Sequence, residues 1–111
     1  MDESTCNVDE YGDKRWTFSN GELHCVNGPA VEFADGDKFW YIHDKLHRVD
    51  GPAIEYTNGD KEWYIHGEHH RVDGPAVEYT NGSKAYWHMG KQIDENKYYS
   101  KEFQVQMVME S

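Results

Sequence analysis

The stretch from His47 to Gly67 reads HRVDGPAIEYTNGDKEWYIHG, and 23 residues further on the chain repeats it as HRVDGPAVEYTNGSKAYWHMG. The second and third units of this repeat share 14 of 23 positions, and the first and second share 13. A fixed period of this length indicates a repeat protein, in which each unit buries its apolar face against its neighbours. The alignment gives a partial unit over 11–23 and full units over 24–46, 47–69 and 70–92.

Each unit carries the signature of a β-hairpin. The run PAIEY is followed by TNGD and then by KEWYIH, so that Asn58-Gly59 lies between two alternating segments. Such a dipeptide favours a type I′ turn, which needs positive φ at both central positions. The sequence therefore predicts one hairpin per unit and a meander of hairpins in series. The equivalent dipeptides are Asp35-Gly36 and Asn81-Gly82.

The expected strand register follows from this turn. Counting outward from Asn58-Gly59 pairs Glu55 with Glu62 and Ile54 with Trp63, and side chains then alternate between two faces. One face is predicted to be the core, with Val31, Ile54 and Val77 against Trp40, Trp63 and Tyr86. In the loops between units, we expect local ion pairs between Arg48 and Asp50 and between Arg71 and Asp73.

The other face is the candidate binding site. Its small alanines leave room over the sheet, aromatic side chains lie beside them, and a glutamate recurs in every hairpin. Tyrosine and tryptophan within a rim of charge are typical of binding hot spots. The alternative is a solvated strand face on which glutamate adds only solubility. The proposed partner-binding residues are Glu32, Glu55, Glu78, Tyr41, Tyr64, Trp87 and Glu62.

The segment after the repeats breaks the pattern. Ser100 can cap a short helix, in which Tyr99, Phe103 and Met107 recur at i, i+4 and i+8 and cover the open end of the sheet. Phe103, Val105 and Met107 also alternate as in a strand, but we favour the helix. The expected organisation is a flexible N-terminus over 1–10, repeats over 11–94 and a helical cap over 95–111.

Charge and composition limit the class of partner. With 21 acidic and 11 basic residues the formal net charge is −10, which would repel nucleic acid and anionic membranes and favours a basic partner. No apolar run approaches the roughly 18 residues of a membrane helix. The acidic start is unlike a signal peptide, and two cysteines, Cys6 and Cys25, suit a reducing cytoplasm.

Seven histidines raise the question of a metal site. Equivalent positions in neighbouring units lie on the order of 10 Å apart, because strands are about 4.8 Å apart, whereas zinc holds nitrogen ligands at about 2.1 Å. Only a loop cluster such as His66, His69 and His70 could gather. His24 beside Cys25 is a weak nucleophile pair, because adjacent strand residues point to opposite faces. We therefore expect no metal, no cofactor and no catalytic residue.

The 23-residue unit, with its W-Y-x-x-G motif, resembles the MORN repeat, which builds a twisted sheet of hairpins from tyrosine, tryptophan and spaced glycines. HRVDGPA stands where the usual repeat has an HGxG-like segment. The unit looks like the divergent variant found in phage and giant-virus proteins and in small bacterial antitoxin or immunity proteins. The resemblance covers Gly12 to about Asp94, and it implies a single-layer, mainly β, antiparallel meander that serves as a binding scaffold.

Three functions remain open at this point. The first is a non-enzymatic module that docks a basic protein, in the concrete form of an inhibitor or immunity protein acting on a nucleic-acid-handling or defence enzyme. It would work in the cytoplasm, or in the host cytoplasm if phage-encoded, without binding nucleic acid itself. The second is a protein that sequesters a nucleotide-like small molecule. The third is a structural array that self-associates through the open edges of its sheet.

Overall fold

The computed structural model describes residues 3–110. The chain is mainly β, with thirteen antiparallel strands followed by two short helices. The strands are β1 Thr5–Val8, β2 Lys14–Thr17, β3 Val31–Glu32, β4 Lys38–Phe39, β5 Tyr41–Ile42, β6 Lys45–Leu46, β7 Ile54–Glu55, β8 Lys61–Glu62, β9 Tyr64–Ile65, β10 Glu68–His69, β11 Val77–Glu78, β12 Lys84–His88 and β13 Lys91–Ile93. The helices are α1 Glu95–Tyr98 and α2 Lys101–Glu110.

Nine of the strands form one open sheet in the order β1-β2-β3-β4-β7-β8-β11-β12-β13. The remaining four form two small hairpins, β5-β6 and β9-β10. The molecule extends 48 × 34 × 18 Å. The predicted fold class, an antiparallel hairpin meander with a short helical cap, is confirmed.

The turn at Asn58-Gly59 differs from the prediction. Gly59 has φ +100°, whereas Asn58 is not among the residues with positive φ. The Gly59 N–H donates to Tyr56 O, and the Tyr56 N–H donates to Asp60 O. This is a three-residue loop, a type I turn closed by a left-handed glycine, and not a type I′ turn.

Type I′ turns occur instead at the opposite end of each unit, where two-residue loops close a second, smaller hairpin. There, both central residues have positive φ, as in His43 (46°) and Asp44 (67°). The prediction of one hairpin per unit is therefore wrong, because each full unit contains two. The corresponding loops of the next units are His66-Gly67 and Met89-Gly90.

The loop has three residues where the prediction had two, and this shifts the strand register by one residue. Glu55 pairs with Lys61, and Ile54 pairs with Glu62. Because a shift of one residue exchanges the faces of a strand, Glu62 lies on the side of Ile54, away from Glu55. The predicted pairing of Glu55 with Glu62 was wrong.

Side-chain hydrogen bonds join the hairpin tips of successive units. The Thr57 N–H donates to Asp37 Oδ1 at 2.8 Å, and the Thr80 N–H donates to Asp60 Oδ1 at 2.9 Å. In the first tip, the Ala34 N–H donates to Asp13 Oδ1 at 2.7 Å. Each tip therefore fixes the position of the next, because an unpaired backbone N–H would have to find another acceptor.

Burial is strongest at the start of the first strand of each full unit and at the residue just before it. Ala30, Ala53 and Ala76 are fully buried, and the residue after each, Val31, Ile54 or Val77, is buried as well. Adjacent strand residues point to opposite faces, so both faces are covered at this level. The expectation that the alanines leave open room over the sheet was wrong.

The C-terminal segment covers the last strands as helices, as predicted. Ser100 Oγ accepts from the Phe103 N–H, and Phe103 and Met107 are buried in a cluster with Tyr86, Tyr98 and Ile93. Tyr98, not the predicted Tyr99, fills this cluster, because α1 is a separate turn of helix capped by Asp94. Tyr99 remains half exposed.

At the other end of the sheet, Thr5–Val8 form the edge strand β1 within the segment that we expected to be flexible. β1 pairs with β2 through four residue pairs. All four of its residues are exposed, so this strand has pairing on one side and little packing.

Gly59 and Gly82 provide a matched test of the tip packing. Both lie at the same turn position with positive φ, but a Cβ at Gly59 would come within 2.7 Å of Thr80 Cγ2, whereas a Cβ at Gly82 would have no neighbour within 4 Å. Both Gly→Ala variants should lower the free energy of unfolding by about 1–2 kcal/mol, because alanine resists the left-handed backbone conformation. Chemical denaturation should show a larger decrease in the free energy of unfolding for Gly59→Ala than for Gly82→Ala. Adding Thr80→Ser to Gly59→Ala should remove that difference. Equal losses for the two single variants would contradict the tip packing.

Candidate binding face around Glu62

Seven charged residues form one row across the sheet, each the direct cross-strand partner of the next, with the two signs alternating. Opposite charges in such positions stabilise a sheet by about 0.2–1 kcal/mol per pair. Every glutamate of the row therefore lies between two lysines. In order, the row is Lys14, Glu32, Lys38, Glu55, Lys61, Glu78 and Lys84.

Two of these glutamates also bind an arginine. The Arg48 guanidinium donates to Asp50 Oδ1 at 3.0 Å, to Pro52 O at 3.1 Å and to Glu55 Oε2 at 3.0 Å, and it lies 3.9 Å from the ring centroid of Trp40. The predicted ion pair between Arg48 and Asp50 is thus present as part of a larger unit, which we call an arginine node.

A second arginine node repeats this geometry one unit later. Arg71 donates to Asp73 Oδ1 at 2.8 Å, to Pro75 O at 3.0 Å and to Glu78 Oε2 at 2.7 Å, and it lies 3.8 Å from the ring centroid of Trp63. The predicted pair of Arg71 with Asp73 is therefore also present. The signal for the Arg–Glu contact was a spacing of seven residues that recurs in both units.

Glu62 has different surroundings. It pairs across the strands with Ile54 and Val77, both apolar, and its side chain is only 19% exposed. No lysine or arginine of residues 3–110 forms an ion pair with it. The equivalent residues of the neighbouring units are Phe39 and Ala85, so this carboxylate occurs in the middle unit alone.

Two tyrosines and a histidine hold the Glu62 carboxylate in place. The hydroxyl of Tyr56 donates to Oε2 at 3.2 Å, and that of Tyr64 donates to Oε1 at 3.3 Å. His69 Nε2 lies 2.8 Å from Oε1, and it adds a positive charge only if the imidazole is protonated. A carboxylate can accept about four hydrogen bonds, so one acceptor position remains for another donor.

Aromatic rings surround this carboxylate. The rings of Tyr64 and His69 lie 4.1 Å apart between centroids, and His69 stacks on Trp87 at 4.8 Å. Burial, and then the Glu62 carboxylate, raise the pKa of Tyr64 well above its ordinary value of 10. The same two causes raise the pKa of Tyr56. Both hydroxyls therefore stay protonated and serve as donors.

The structure divides the predicted site residues into two groups. Tyr64, Trp87 and Glu62 come together, and Tyr41 occupies the equivalent position of the first unit, near enough to contribute to the raised pKa of Tyr64. The glutamates of the charged row lie on the opposite side of the strands. We call the first group, with its new members Tyr56 and His69, the Glu62 face. The signal for His69 was that it replaces Leu46 and Gln92 of the other units, just as Glu62 replaces Phe39 and Ala85.

The negative charge of the chain lies outside the charged row. The row and the arginine nodes together use six of the eleven basic residues and five of the acidic ones, which leaves sixteen acidic against five basic residues elsewhere. Asp37 and Asp60 at the hairpin tips are close enough to contribute to the raised pKa of Tyr56. The Glu62 face is therefore bordered by acidic tips.

Six of the seven histidines form three pairs, one within each full unit. His24 and His43 lie 4.6 Å apart between ring centroids, as do His47 and His66, and His70 and His88 lie 4.8 Å apart. The first histidine of each pair accepts a hydrogen bond through Nδ1 from the backbone N–H of a type I′ turn residue. These donors are His43 at 2.9 Å, His66 at 3.0 Å and Met89 at 2.8 Å.

These contacts separate the histidines that could have formed a loop cluster. His66 packs on His47, His69 contacts Glu62, and His70 packs on His88. Within residues 3–110, no group of three or more histidine, cysteine, aspartate or glutamate side chains is placed to hold a metal ion.

Comparisons of the chain with protein-family models, with curated proteins and with solved structures gave no match. The longest helix in the described part of the chain is α2, with ten residues, and no helix there has the length and apolarity to cross a membrane.

The histidine pairs predict how stability depends on pH. Burial, and then the neighbouring histidine, lower the pKa of His47 and of His70 below the ordinary value of 6.5. The unfolded chain then binds more protons than the folded chain, so stability falls as the pH drops below 6.5 towards the lowered pKa.

The double variant His47→Asn, His70→Asn tests this dependence, because the amide oxygen can still accept from the turn N–H and cannot titrate. Its melting temperature should fall less than that of the wild type between pH 7 and pH 5. An identical slope in the two proteins would show that these histidines are not responsible.

Proposed function

We propose that this protein is a non-enzymatic binding module that docks a basic partner protein through the Glu62 face. The observation that carries the proposal is a largely buried carboxylate, held by two tyrosine hydroxyls and a histidine, without a lysine or arginine partner in the described chain. A buried charge is costly unless it is paired, so such a group is a candidate site for a cation from outside.

The surroundings of Glu62 support a cationic side chain as its ligand. Tyr56, Tyr64 and His69 orient the carboxylate in advance, which reduces the ordering needed on binding. The rings of Tyr64 and Trp87 offer aromatic surface to the stem of a lysine or to the plane of an arginine guanidinium. Tyrosine and tryptophan are also the residues that most often anchor protein interfaces.

The long-range charge favours the same class of partner. The acidic hairpin tips and the net charge of −10 would attract a positively charged protein and accelerate its association. The glutamates of the charged row contribute little to this field, because each has a lysine as cross-strand partner on both sides, and arginines also bind Glu55 and Glu78. We therefore leave Glu32, Glu55 and Glu78 out of the proposed docking surface.

A binding role also accounts for the shape of this face better than catalysis does. One groove of the structure lies on the side of the arginine nodes and is lined by Arg48, Trp63 and Arg71. An active site usually encloses its substrate in a concave pocket. The Glu62 face suits a flat contact with another protein.

The resemblance of the repeat to divergent MORN-like units suggests the concrete form of this function. Relatives of that kind include phage proteins and small bacterial antitoxin or immunity proteins. An enzyme that handles nucleic acid has a basic surface, which an acidic module can cover. We therefore propose an inhibitor or immunity-type protein, acting in the cytoplasm, whose target is such an enzyme.

Affinity capture with two matched baits tests the proposal. Glu62→Gln and Glu32→Gln remove the same charge, the first from the Glu62 face and the second from the neutralised row. Wild type and Glu32→Gln should capture the same basic protein, whereas Glu62→Gln should bind it about 30-fold more weakly or worse, as expected when a buried charge pair loses one member.

Binding kinetics then distinguish a side chain that anchors the bound partner from charges that accelerate its approach. Tyr64→Ala should chiefly speed dissociation of the captured protein, and the association rate of the wild type should fall as salt screens the acidic tips. Equal affinities for Glu62→Gln and Glu32→Gln would exclude the Glu62 face as the docking surface.

A further inference from the structure

The two oxygens of the Glu62 carboxylate differ in how many hydrogen bonds they accept. Oε1 takes part in two, with the Tyr64 hydroxyl at 3.3 Å and with His69 Nε2 at 2.8 Å. Oε2 accepts one, from the Tyr56 hydroxyl at 3.2 Å. Each carboxylate oxygen has two lone pairs, so with respect to donors within residues 3–110 the vacant acceptor position lies on Oε2.

All three donors can be present at once. The distance of 2.8 Å from His69 Nε2 to Oε1 is that of a hydrogen bond, and two acceptors without a hydrogen between them would repel each other there. Nε2 therefore carries a hydrogen, whatever the state of Nδ1. The raised pKa values of Tyr56 and Tyr64 keep both hydroxyls protonated. Both positions on Oε1 are thus filled.

The number of vacant positions distinguishes the two cationic side chains that a basic partner can offer. An arginine binds a carboxylate most strongly as a fork, with one N–H to each oxygen, and Oε1 of Glu62 has no position for the second bond. A single bond to Oε2 would leave most of the five guanidinium N–H groups without an acceptor at this carboxylate. A lysine ammonium is a compact charge with three rotatable donors, and a single N–H places it on Oε2.

The arginine nodes show what this fold supplies where it does bind a guanidinium. Arg71 donates to acceptors of three different residues and lies 3.8 Å from the ring centroid of Trp63. At the Glu62 face, the rings of Tyr64 and His69 are 4.1 Å apart between centroids, and those of His69 and Trp87 are 4.8 Å apart. A planar group needs about 3.5 Å on each side, so a guanidinium cannot enter between these rings.

Building on the proposed function, we propose that the group of the basic partner that binds Glu62 is a lysine ammonium, and that Tyr64 determines this preference. The ammonium donates to Oε2. The Tyr64 hydroxyl occupies the position on Oε1 that the fork of an arginine would need. The methylene stem of the lysine packs on the aromatic surface beside the carboxylate, as lysine stems do on apolar surfaces elsewhere.

Two small cations test this preference without the partner. Butylammonium and butylguanidinium have the same charge and the same apolar stem, and they differ only in the head group. Each is titrated into the protein at constant ionic strength, and its dissociation constant is measured from the NMR chemical shifts of the His69 and Trp87 side chains. Glu62→Gln should weaken the binding of both cations, whereas Glu32→Gln removes the same charge from the charged row and should leave it unchanged.

The wild type should bind butylammonium about threefold more tightly than butylguanidinium, or better. Tyr64→Phe vacates one position on Oε1, so that each oxygen has one, and the preference should reverse. Tyr56→Phe removes the other hydroxyl from the same carboxylate but vacates a position on Oε2 only, so the preference for butylammonium should persist. Amide NMR spectra that match the wild type away from the substituted residue confirm that each variant folds.

Three results would overturn the proposal, and they separate it from the proposed function. Equal affinities of the wild type for the two cations, or tighter binding of butylguanidinium, would exclude the preference for lysine and would leave docking of a basic partner unaffected. Equal effects of Tyr64→Phe and Tyr56→Phe would exclude Tyr64 as its cause. Binding of neither cation, or binding that Glu62→Gln does not weaken, would exclude Glu62 as a cation site and overturn both proposals.

Discussion

The arginine node is the interaction on which the rest of the structure depends. Arg48 covers Trp40 of the preceding unit while its guanidinium binds Asp50, Pro52 O and Glu55 of its own unit. A single side chain thereby joins two hairpins, binds a glutamate of the charged row and lines the groove on that side of the sheet. Arginine suits this position better than lysine would, because a planar guanidinium can stack on an indole while it donates several hydrogen bonds in its own plane.

The repeat builds a scaffold, and departures from the repeat build the candidate site. Tryptophan, glycine, proline and the charged row recur because every hairpin needs the same neighbours to bury its surface. Glu62 and His69 have no equivalent in the other units, and they contact each other. Two departures that meet in space indicate a role that the scaffold does not require, since Phe39 and Ala85 occupy the same position without a carboxylate.

Sequence reasoning obtained the period, the meander and the helical cap, because each rests on local spacing. It failed at the turn and the register. Asn58-Gly59 is compatible with two turn types, and the choice between them involves the bond from the Thr57 N–H to Asp37, twenty residues away. The register error exchanged the faces of β8, so the sequence paired Glu62 with Glu55, whereas the structure pairs it with Ile54 and Val77. Tyr98 replaced Tyr99 in the cap because α1 ends before α2 begins.

Local stability should differ along the sheet, because the contacts that hold each unit in place differ from one end to the other. The second and third units have arginine nodes over Trp40 and Trp63, and the third is also covered by Tyr98, Phe103 and Met107. At the N-terminal end, Cys25 takes the place of the node arginine, and the edge strand β1 is exposed throughout. A single-layer sheet shares little packing between distant strands, so each unit is only as stable as its own contacts and those of its neighbours. The Glu62 face draws on the second and third units, where the backbone that positions it is held most firmly.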